Sequence, residues 1–216
     1  MVGYKRNFKL LIYIMFSIVL LCSCRGNNEE TDSNILSERE SNVFFDEKKF
    51  EFSKYRGVFT DVYGNLIEKD VHIQVQEIGC LKGGKVYKLE IEQIQGISEK
   101  RLLLGMFYVQ NDKICKIDYT QENVDIILKE KNLPNAGVIV CQNEEIKDSL
   151  KQEQKGFHQY LQVQEDERKY CAYNNEIESG YFETYIWERD VGLKYYKSGY
   201  GAERDLVELE FIEDSK

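Results

Sequence analysis

The stretch VHIQVQ, residues 71–76, decides the fold class of this chain. Three β-branched residues at odd positions alternate in it with three polar residues at even positions. A period of two places successive side chains on opposite faces of a strand, so that one face is buried and the other is solvated. The same alternation recurs in YKLEIE at 87–92 and in VELEF at 207–211. These segments predict antiparallel strands with one wet face.

Further strand-like segments extend this pattern along the chain, and turn residues separate them. Hairpin signals lie at Gly79–Gly84, at Asn111–Asp112 and in the QEDE segment at 164–167, which favours antiparallel neighbours. LLLGMFYV, residues 102–109, is apolar on both parities and predicts a central strand covered on both sides by a second sheet or by helices. The remaining predicted strands are 55–63, 114–119, 138–142, 157–164, 169–174, 181–188 and 193–198.

Two short helices are predicted between these strands. The first spans Gln121–Lys131, where three apolar residues form one stripe and the lysines near the end suit the helix dipole. The second spans Glu144–Gln154, with Asn143 as its cap and few apolar contacts. The expected fold is therefore mainly β, an antiparallel meander of about eleven strands that forms a sandwich or a curved, barrel-like sheet.

The N-terminal residues have the layout of an export signal. Three basic residues are the only charges among the first 23, and residues 10–21 form an apolar run of twelve. Such a run fits a signal peptide better than a membrane span, which needs about 20 residues. The stretch LLCSC at 20–24 resembles the lipobox of bacterial lipoproteins, although cysteine at position 22 departs from the commoner small residues. The resemblance implies that residues 1–23 are removed and that Cys24 carries a diacylglycerol. The alternative is an uncleaved anchor helix with Cys24 as an ordinary thiol.

The composition changes after Cys24. Residues 24–42 are polar and too poor in apolar side chains to fold alone, so we interpret them as a flexible tether. Residues 43–216 are long enough for a single β-rich extracytoplasmic domain with a real core. Removal of the signal leaves 26 Lys and Arg against 38 Asp and Glu, a net charge of −12. A surface this acidic disfavours nucleic acid as a partner and leaves the lipid on Cys24 as the expected membrane contact.

Four cysteines lie in the predicted domain, at positions 80, 115, 141 and 171. Outside the cytoplasm they could form two disulfides, or each could be a small buried hydrophobe, and Cys115 favours the second interpretation because it shares a parity with Ile117. No CxxC pair is present, so we expect no metal site, and no cofactor motif occurs either. His72 falls on the polar parity of its strand and is interpreted as a solvated surface residue. His158 is interpreted as structural, and the alternative is a Cys-His dyad with one of the four thiols.

The C-terminal passage at 180–209 holds the sole tryptophan, Trp187, and repeats the tripeptide ERD. Its strings WERDVGL and SGYGAERD are similar to the C-terminal ends of uncharacterised secreted lipoproteins of Gram-positive bacteria, which implies location but no activity. The repeats could be the turns of a meander. The alternative is that the second of them forms a ligand loop for a sugar or a peptide. The residues of that possible loop are Tyr200, Glu203, Arg204 and Asp205.

Three functions remain open from the sequence. The first is a non-catalytic binding or interaction module of the cell envelope, whose partner is an envelope protein or a cell-wall component. The second is a carrier or sensor of an apolar ligand within the curved sheet. The third is a hydrolase that uses paired carboxylates, although no catalytic residue can be named because no carboxylate stands in a recognisable apolar pocket.

Overall fold

A computed structural model describes residues 42–134, 137–150, 155–176, 180–201 and 205–212, without the side chains of residues 149 and 150. All of these ranges belong to one compact unit of the chain, Arg39–Lys216. The predicted signal peptide, the predicted lipid-anchor residue Cys24 and the predicted tether up to residue 41 lie outside the described residues.

The described chain contains twelve strands and three short helices. The strands are β1 Lys54–Thr60, β2 Leu66–Leu81, β3 Gly84–Ile91, β4 Leu103–Gln110, β5 Lys113–Ile117, β6 Val138–Gln142, β7 Ile146–Leu150, β8 Phe157–Val163, β9 Glu167–Asn174, β10 Tyr181–Glu188, β11 Gly192–Tyr200 and β12 Asp205–Ile212. The helices are α1 Glu47–Phe52, α2 Glu99–Leu102 and α3 Gln121–Asp125, which continues as a π-helical turn over Ile126–Glu130.

All twelve strands form one antiparallel sheet in the order β6-β5-β4-β3-β2-β1-β12-β11-β10-β9-β8-β7. Neighbouring strands in the sheet are consecutive in the chain, with one exception: β1 and β12 pair in the middle of the sheet. Their pairing runs from Lys54 opposite Ile212 to Phe59 opposite Val207. The predicted fold class is confirmed: the chain is mainly β, and its meander forms one curved sheet rather than two stacked ones.

The order of the strands explains why the sheet curls. Its two edge strands, β6 and β7, are joined by residues 143–145 alone. A flat sheet with eleven strand spacings would be about 50 Å wide, whereas so short a connection spans at most about 14 Å. The sheet therefore bends into a half-barrel that brings its two edges towards each other. Contacts cross the interior as a result: the Tyr185 hydroxyl donates to the Leu104 carbonyl at 2.9 Å, and Arg168 Nε donates to the Gln142 carbonyl at 2.8 Å.

The concave face holds the main hydrophobic core. Strands from both halves of the sheet contribute buried side chains to it, among them Phe59, Leu89, Phe107 and Leu209. Aromatic rings fill its centre, where Phe107 packs edge-on against Trp187 with 5.8 Å between ring centroids. Interior rings in such edge-to-face pairs contribute to stability beyond the area that they bury.

A second, smaller cluster lies on the convex face of β3, β4 and β5. Helix α3 covers this face, and Ile127 of its π-helical turn is fully buried against Val86, Met106 and Ile117. The doubly apolar pattern of β4 therefore has the predicted cause, since core side chains cover one face and a helix covers the other. The prediction of the 121–131 helix is confirmed to within one residue at its C-terminal end.

The predicted helix over Glu144–Gln154 is wrong. Residues Ile146–Leu150 form the edge strand β7, which pairs with β8, and residues 151–154 lie outside the described part of the chain. Asn143, predicted as a helix cap, instead accepts a hydrogen bond from Arg168 at 3.0 Å. The apolar signal for a helix was weak, and pairing with β8 supplies backbone hydrogen bonds that a short exposed helix would have had to make internally. This strand brings the total to twelve.

Helices α1 and α2 have six and four residues and escaped the sequence analysis, because fewer than two turns give no 3.6-residue period. In the described part of the chain, no helix is both long enough and apolar enough to cross a membrane.

Candidate functional site

One end of the curled sheet carries a row of aromatic and polar side chains, which we call the mouth row. It is formed by cross-strand neighbours of β8 to β12. Phe157 lies opposite Asn174, Tyr181 lies opposite Tyr200, and Tyr200 lies opposite Asp205. Residues directly opposite one another on antiparallel strands have Cβ atoms about 5 Å apart. The register therefore assembles the row from segments that are far apart in the chain.

The aromatic members of the mouth row form a continuous face. The rings of Phe157 and Tyr181 are stacked, with 6.3 Å between centroids and 19° between planes. The Tyr200 ring follows at 5.6 Å from the Tyr181 ring, and Tyr200 is 40% exposed. Tyrosine combines a large apolar surface with a polar tip, which suits contact with a partly polar ligand.

Behind the mouth row, the carboxylate of Glu183 on β10 is buried. Only 6% of this residue is exposed. Its Oε1 atom lies 2.5 Å from Lys116 Nζ on β5 and 3.0 Å from the Tyr185 hydroxyl, and its Oε2 atom lies 3.3 Å from the Tyr181 hydroxyl. A buried charge needs both a counter-ion and hydrogen-bond donors, and Glu183 has both. Tyr181 thus belongs to the aromatic face and also contacts the buried carboxylate.

Lys116 reaches Glu183 because Gly105, on the neighbouring strand β4, leaves room for the aliphatic part of the lysine side chain. Gly105 on β4 has a φ of +141°, and a Cβ atom at this position would lie 3.1 Å from Lys116 Cε. A side chain there would press against the lysine stem and would also strain the backbone. The lysine therefore crosses the interior over a glycine, with its aliphatic part packed and its ammonium beside the carboxylate.

The tyrosines around Glu183 are held in their protonated form. Burial, followed by the nearby Glu183 charge, raises the pKa of Tyr170, Tyr181 and Tyr196, and it raises the pKa of Tyr185 well above its ordinary value. Tyr196 donates its hydroxyl hydrogen to Ser198 Oγ at 2.8 Å. These hydroxyls act as neutral hydrogen-bonding groups at physiological pH, and none of them is poised to become a nucleophile.

Two members of the predicted ligand loop belong to the mouth row. Tyr200 ends β11 and Asp205 begins β12, whereas Glu203 and Arg204 lie outside the described residues. Asp205 Oδ1 lies 2.9 Å from Arg101 Nε, and Arg101 also donates to the Thr60 carbonyl at 2.6 Å. The aspartate is therefore tied to the start of β4 rather than offered as a free charge.

Lys116, Glu183 and Tyr181 are not among the site residues predicted from the sequence. A signal for Glu183 was present, because it occupies the same strand parity as the buried side chains of Tyr185 and Trp187. A charged residue on the core-facing parity of a strand requires a partner, and this requirement singles it out. Nothing in the sequence indicated that the partner would be Lys116.

Both histidines lie away from this site. His72 is exposed, and its Nδ1 atom lies 3.0 Å from the Ser53 carbonyl oxygen. His158 is on the convex face of β8, where its Nδ1 atom lies 3.0 Å from Asp148 Oδ2 and its ring stacks on Tyr173 at 4.8 Å. These contacts fit the roles predicted for them.

The four cysteines of the described chain are free thiols, so the disulfides that the sequence left open are not present among them. Cys115, Cys141 and Cys171 are buried, as the alternative interpretation expected, whereas Cys80 is exposed. Within the described ranges, no group of three or more His, Cys, Asp or Glu side chains could hold a metal ion.

A cleft of about 870 Å³ lies at the opposite end of the sheet, between α1 and the β2–β3 hairpin. Two of its lysines already have partners. Lys85 Nζ lies 2.7 Å from Glu77 Oε2, and Lys49 Nζ donates to the Asp190 carbonyl. Burial, helped by a hydrogen bond with Glu47, raises the pKa of Tyr87. This cleft is therefore a less distinctive candidate than the mouth row.

No protein-family model matches the chain, and no curated protein matches it. Two solved structures are similar to it in part. One is described as a candidate lipoprotein of Parabacteroides distasonis, with 9% identity and a TM-score of 0.27 over 79% of this chain and 97% of that one. The other is described as a candidate exported protein with a YmcC-like fold from Bacteroides fragilis, with 7% identity and a TM-score of 0.30 over 76% of this chain and 94% of that one. Similarity at this level does not indicate a shared function.

Proposed function

We propose that the protein is a lipid-anchored, extracytoplasmic binding module of the cell envelope, and that it binds its ligand at the mouth row without catalysing a reaction. The observation that carries this proposal is the aromatic row of the half-buried Tyr181 and the 40% exposed Tyr200 beside the buried Glu183 carboxylate. The location rests on the export signal and on the LLCSC stretch that ends at Cys24.

The interior of the sheet favours this function over a carrier of apolar ligands. Phe107, Tyr185 and Trp187 are fully buried there, with 5.7 to 6.4 Å between their ring centroids. Rings at these separations are in direct contact. A ligand inside the sheet would have to displace them, whereas a ligand at the mouth row would not.

The described carboxylates also give less support to a hydrolase. Glu167 and Glu188 approach one another, but both are bound by Lys194, whose Nζ lies 2.5 Å from each. Glu183 is paired with Lys116. A glycosidase needs two carboxyl groups that flank a substrate and are free to act as acid and as base or nucleophile.

Substitution of Cys24 tests the anchor. If this residue carries the lipid, Cys24→Ala should release the protein from membranes or leave the precursor uncleaved, because two acyl chains are needed for stable anchoring. Membrane fractionation and intact-mass measurement would show either outcome. Cys80→Ser is the matched control, since Cys80 is an exposed thiol of the folded part. Lipidation would be contradicted if Cys24→Ala divides between the membrane and soluble fractions as the wild type does and differs from it in mass only by the substitution.

Binding at the mouth row can be tested with purified cell walls. The full-length protein in mild detergent should sediment with them, and Tyr200→Ala should reduce the bound fraction at least fivefold. Tyr63→Ala is the control, because Tyr63 is 86% exposed on the β1–β2 turn. Equal sedimentation of wild type and Tyr200→Ala would remove the mouth row as the binding site.

A further inference from the structure

We propose that the ligand of the mouth row is a neutral saccharide, one of whose sugar rings lies on the Tyr181 and Tyr200 rings while a hydroxyl group donates a hydrogen bond to Gln159. This inference rests on the proposed binding function and specifies the class of its ligand. Aromatic geometry, a buried hydrogen-bond acceptor and the pairing of the local charges support it independently.

The aromatic face suits the apolar face of a sugar ring. Phe157, Tyr181 and Tyr200 form a row in which neighbouring centroids are 6.3 and 5.6 Å apart. A pyranose ring is about as wide as one aromatic ring and presents axial C–H groups on one face and hydroxyl groups around its edge. Such a ring removes apolar surface from water on the tyrosines while its hydroxyl groups remain free to reach polar atoms.

A polar atom that needs a donor lies in the next cross-strand row. Gln159 on β8 is opposite Ala172 on β9, and Ala172 is opposite Glu183 on β10. The side-chain oxygen of Gln159 is buried and has no hydrogen-bond partner in the structure. A buried acceptor without a donor costs free energy, which a ligand hydroxyl group would recover. The small side chain of Ala172 separates Gln159 from Glu183.

The charges near the mouth row favour a neutral ligand. Lys116 is paired with Glu183, and Arg101 is paired with Asp205. The first pair joins two strands of the sheet and the second joins helix α2 to β12, so none of these four side chains presents an unpaired charge to a ligand. A charged ligand would have to break one of the pairs, at the cost of leaving its partner uncompensated.

The backbone around the mouth row disfavours an extended peptide. Strands β8 to β12 each pair with a neighbour on both sides. Peptides that add a strand to a sheet need an unpaired edge, and the edges here are β6 and β7. Recognition at the mouth row must therefore go through side chains, as is usual for sugars.

The test uses the full-length protein in a detergent with a phosphocholine headgroup, because glycoside detergents would compete for the site. Two neutral probes are titrated by calorimetry: a tetrasaccharide of N-acetylglucosamine and a tetrasaccharide of glucose. At least one should bind with a measurable dissociation constant. Tyr200→Ala should raise that constant at least tenfold, and Gln159→Leu should raise it about fivefold or more. Tyr63→Ala should leave it unchanged, because this exposed tyrosine of the β1–β2 turn lies at the same end of the sheet but is not a member of the mouth row.

Gln159→Leu separates a binding role from a structural one. If Gln159 only packs, its replacement by a side chain of similar size should leave saccharide binding unchanged, which would overturn the assignment of the hydroxyl contact. If it binds the sugar, the variant should have a Tm without ligand at or above that of the wild type, because the partnerless acceptor is gone, and it should lose most of the Tm increase that the saccharide produces in the wild type.

Failure of the inference and failure of the proposed function are distinguishable. If neither tetrasaccharide binds but sedimentation with cell walls still depends on Tyr200, the saccharide is excluded and the binding module stands. If neither tetrasaccharide binds and sedimentation with cell walls does not depend on Tyr200, both proposals are overturned. Saccharide binding that is insensitive to Tyr200→Ala and Gln159→Leu would place the sugar elsewhere and would also overturn the inference.

Discussion

Lys116 and Glu183 meet across the interior of the curled sheet, with 2.5 Å between Nζ and Oε1, although 67 residues separate them in the chain. Lys116 belongs to β5 in one half of the sheet and Glu183 to β10 in the other. The hydroxyl of Tyr185 adds a second link, because it lies 2.9 Å from the Leu104 carbonyl of β4 and 3.0 Å from Glu183 Oε1. The pair therefore joins the two halves at the level of the candidate site.

Removal of the lysine should destabilise the protein more than removal of both charges. Lys116→Met leaves Glu183 buried without its counter-ion, and we expect a loss of about 3 kcal/mol in the free energy of unfolding. The double variant Lys116→Met with Glu183→Leu should recover most of this loss, because no uncompensated charge remains. Urea denaturation of the wild type, both single variants and the double variant gives the coupling energy.

A coupling energy near zero would show that the ion pair is screened by solvent. Lys54→Met is a suitable control, because the ion pair of Lys54 with Asp70 is largely solvated, with side chains 38% and 46% exposed. We expect that variant to change the free energy of unfolding by less than about 1 kcal/mol.

The tyrosines around Glu183 should make the fold sensitive to alkaline pH. Their pKa values are raised in the folded state, chiefly by burial. Above about pH 10 the unfolded chain loses tyrosine protons that the folded chain keeps. Rising pH therefore favours the unfolded state. The free energy of unfolding should be constant with respect to these tyrosines below about pH 10, and above it should fall by about 1.4 kcal/mol per pH unit for each of them.

Absorbance near 295 nm checks this prediction, because it reports tyrosinate directly. Two of the 15 tyrosines, Tyr4 and Tyr13, lie in the predicted signal peptide. Only part of the other 13 should titrate near pH 10 in the folded protein, and the rest should ionise together with unfolding. Ionisation of all of them near pH 10 with the fold intact would contradict the burial of Tyr181, Tyr185 and Tyr196.

Gly199→Ala should disturb the mouth row through the backbone. A Cβ atom at Gly199 would lie 1.7 Å from the Asp205 carbonyl oxygen, so β11 and β12 would have to separate beside Tyr200. We expect a loss of about 1–3 kcal/mol, as for other overpacked sites, and a lower Tm. Gly137→Ala is the control, since the nearest atoms would be 3.8 Å away and the change should stay within about 0.5 kcal/mol. A Tm that responds equally to both substitutions would contradict this close approach.

The thiols of the described chain should differ in reactivity. Cys80 is exposed, whereas burial raises the pKa of Cys115 and raises that of Cys141 to about 12. Since the thiolate is the reactive form, brief treatment with iodoacetamide at pH 8 should alkylate Cys80 and leave the buried thiols unmodified until denaturant is added. Peptide mass mapping identifies the modified residues, and Cys80→Ser should abolish the fast reaction within residues 43–216. Rapid alkylation of Cys141 in the folded protein would be incompatible with its burial.

Local patterns in the sequence were enough to predict every strand except β7. Alternation at residues 71–76 and 207–211 corresponds to β2 and β12, and the hairpin signal at Asn111–Asp112 joins β4 to β5. Period and turn chemistry depend on neighbouring residues, so they can be read without the fold. The same reasoning failed at residues 144–154, where pairing of β7 with β8 overrode a weak helical pattern.

The candidate site was only partly predictable. Tyr200 and Asp205 were identified from a distinctive loop, and Glu183 could have been found as a charge on a buried parity. Lys116 could not, because its role depends on how far β5 lies from β10 once the sheet has curled. The partnerless oxygen of Gln159 is likewise visible only when its surroundings are known.

The sequence by itself determined that the chain is an antiparallel β meander, because the alternation of apolar and polar residues fixes which face of each strand is buried. It also contains the predicted export signal on which the proposed location rests. Only the tertiary structure decided that the meander forms one curled sheet, that β1 pairs with β12, and that Lys116 meets Glu183 behind the mouth row. These features depend on contacts between residues distant in the chain, and such contacts arise from closure of the sheet rather than from any local pattern.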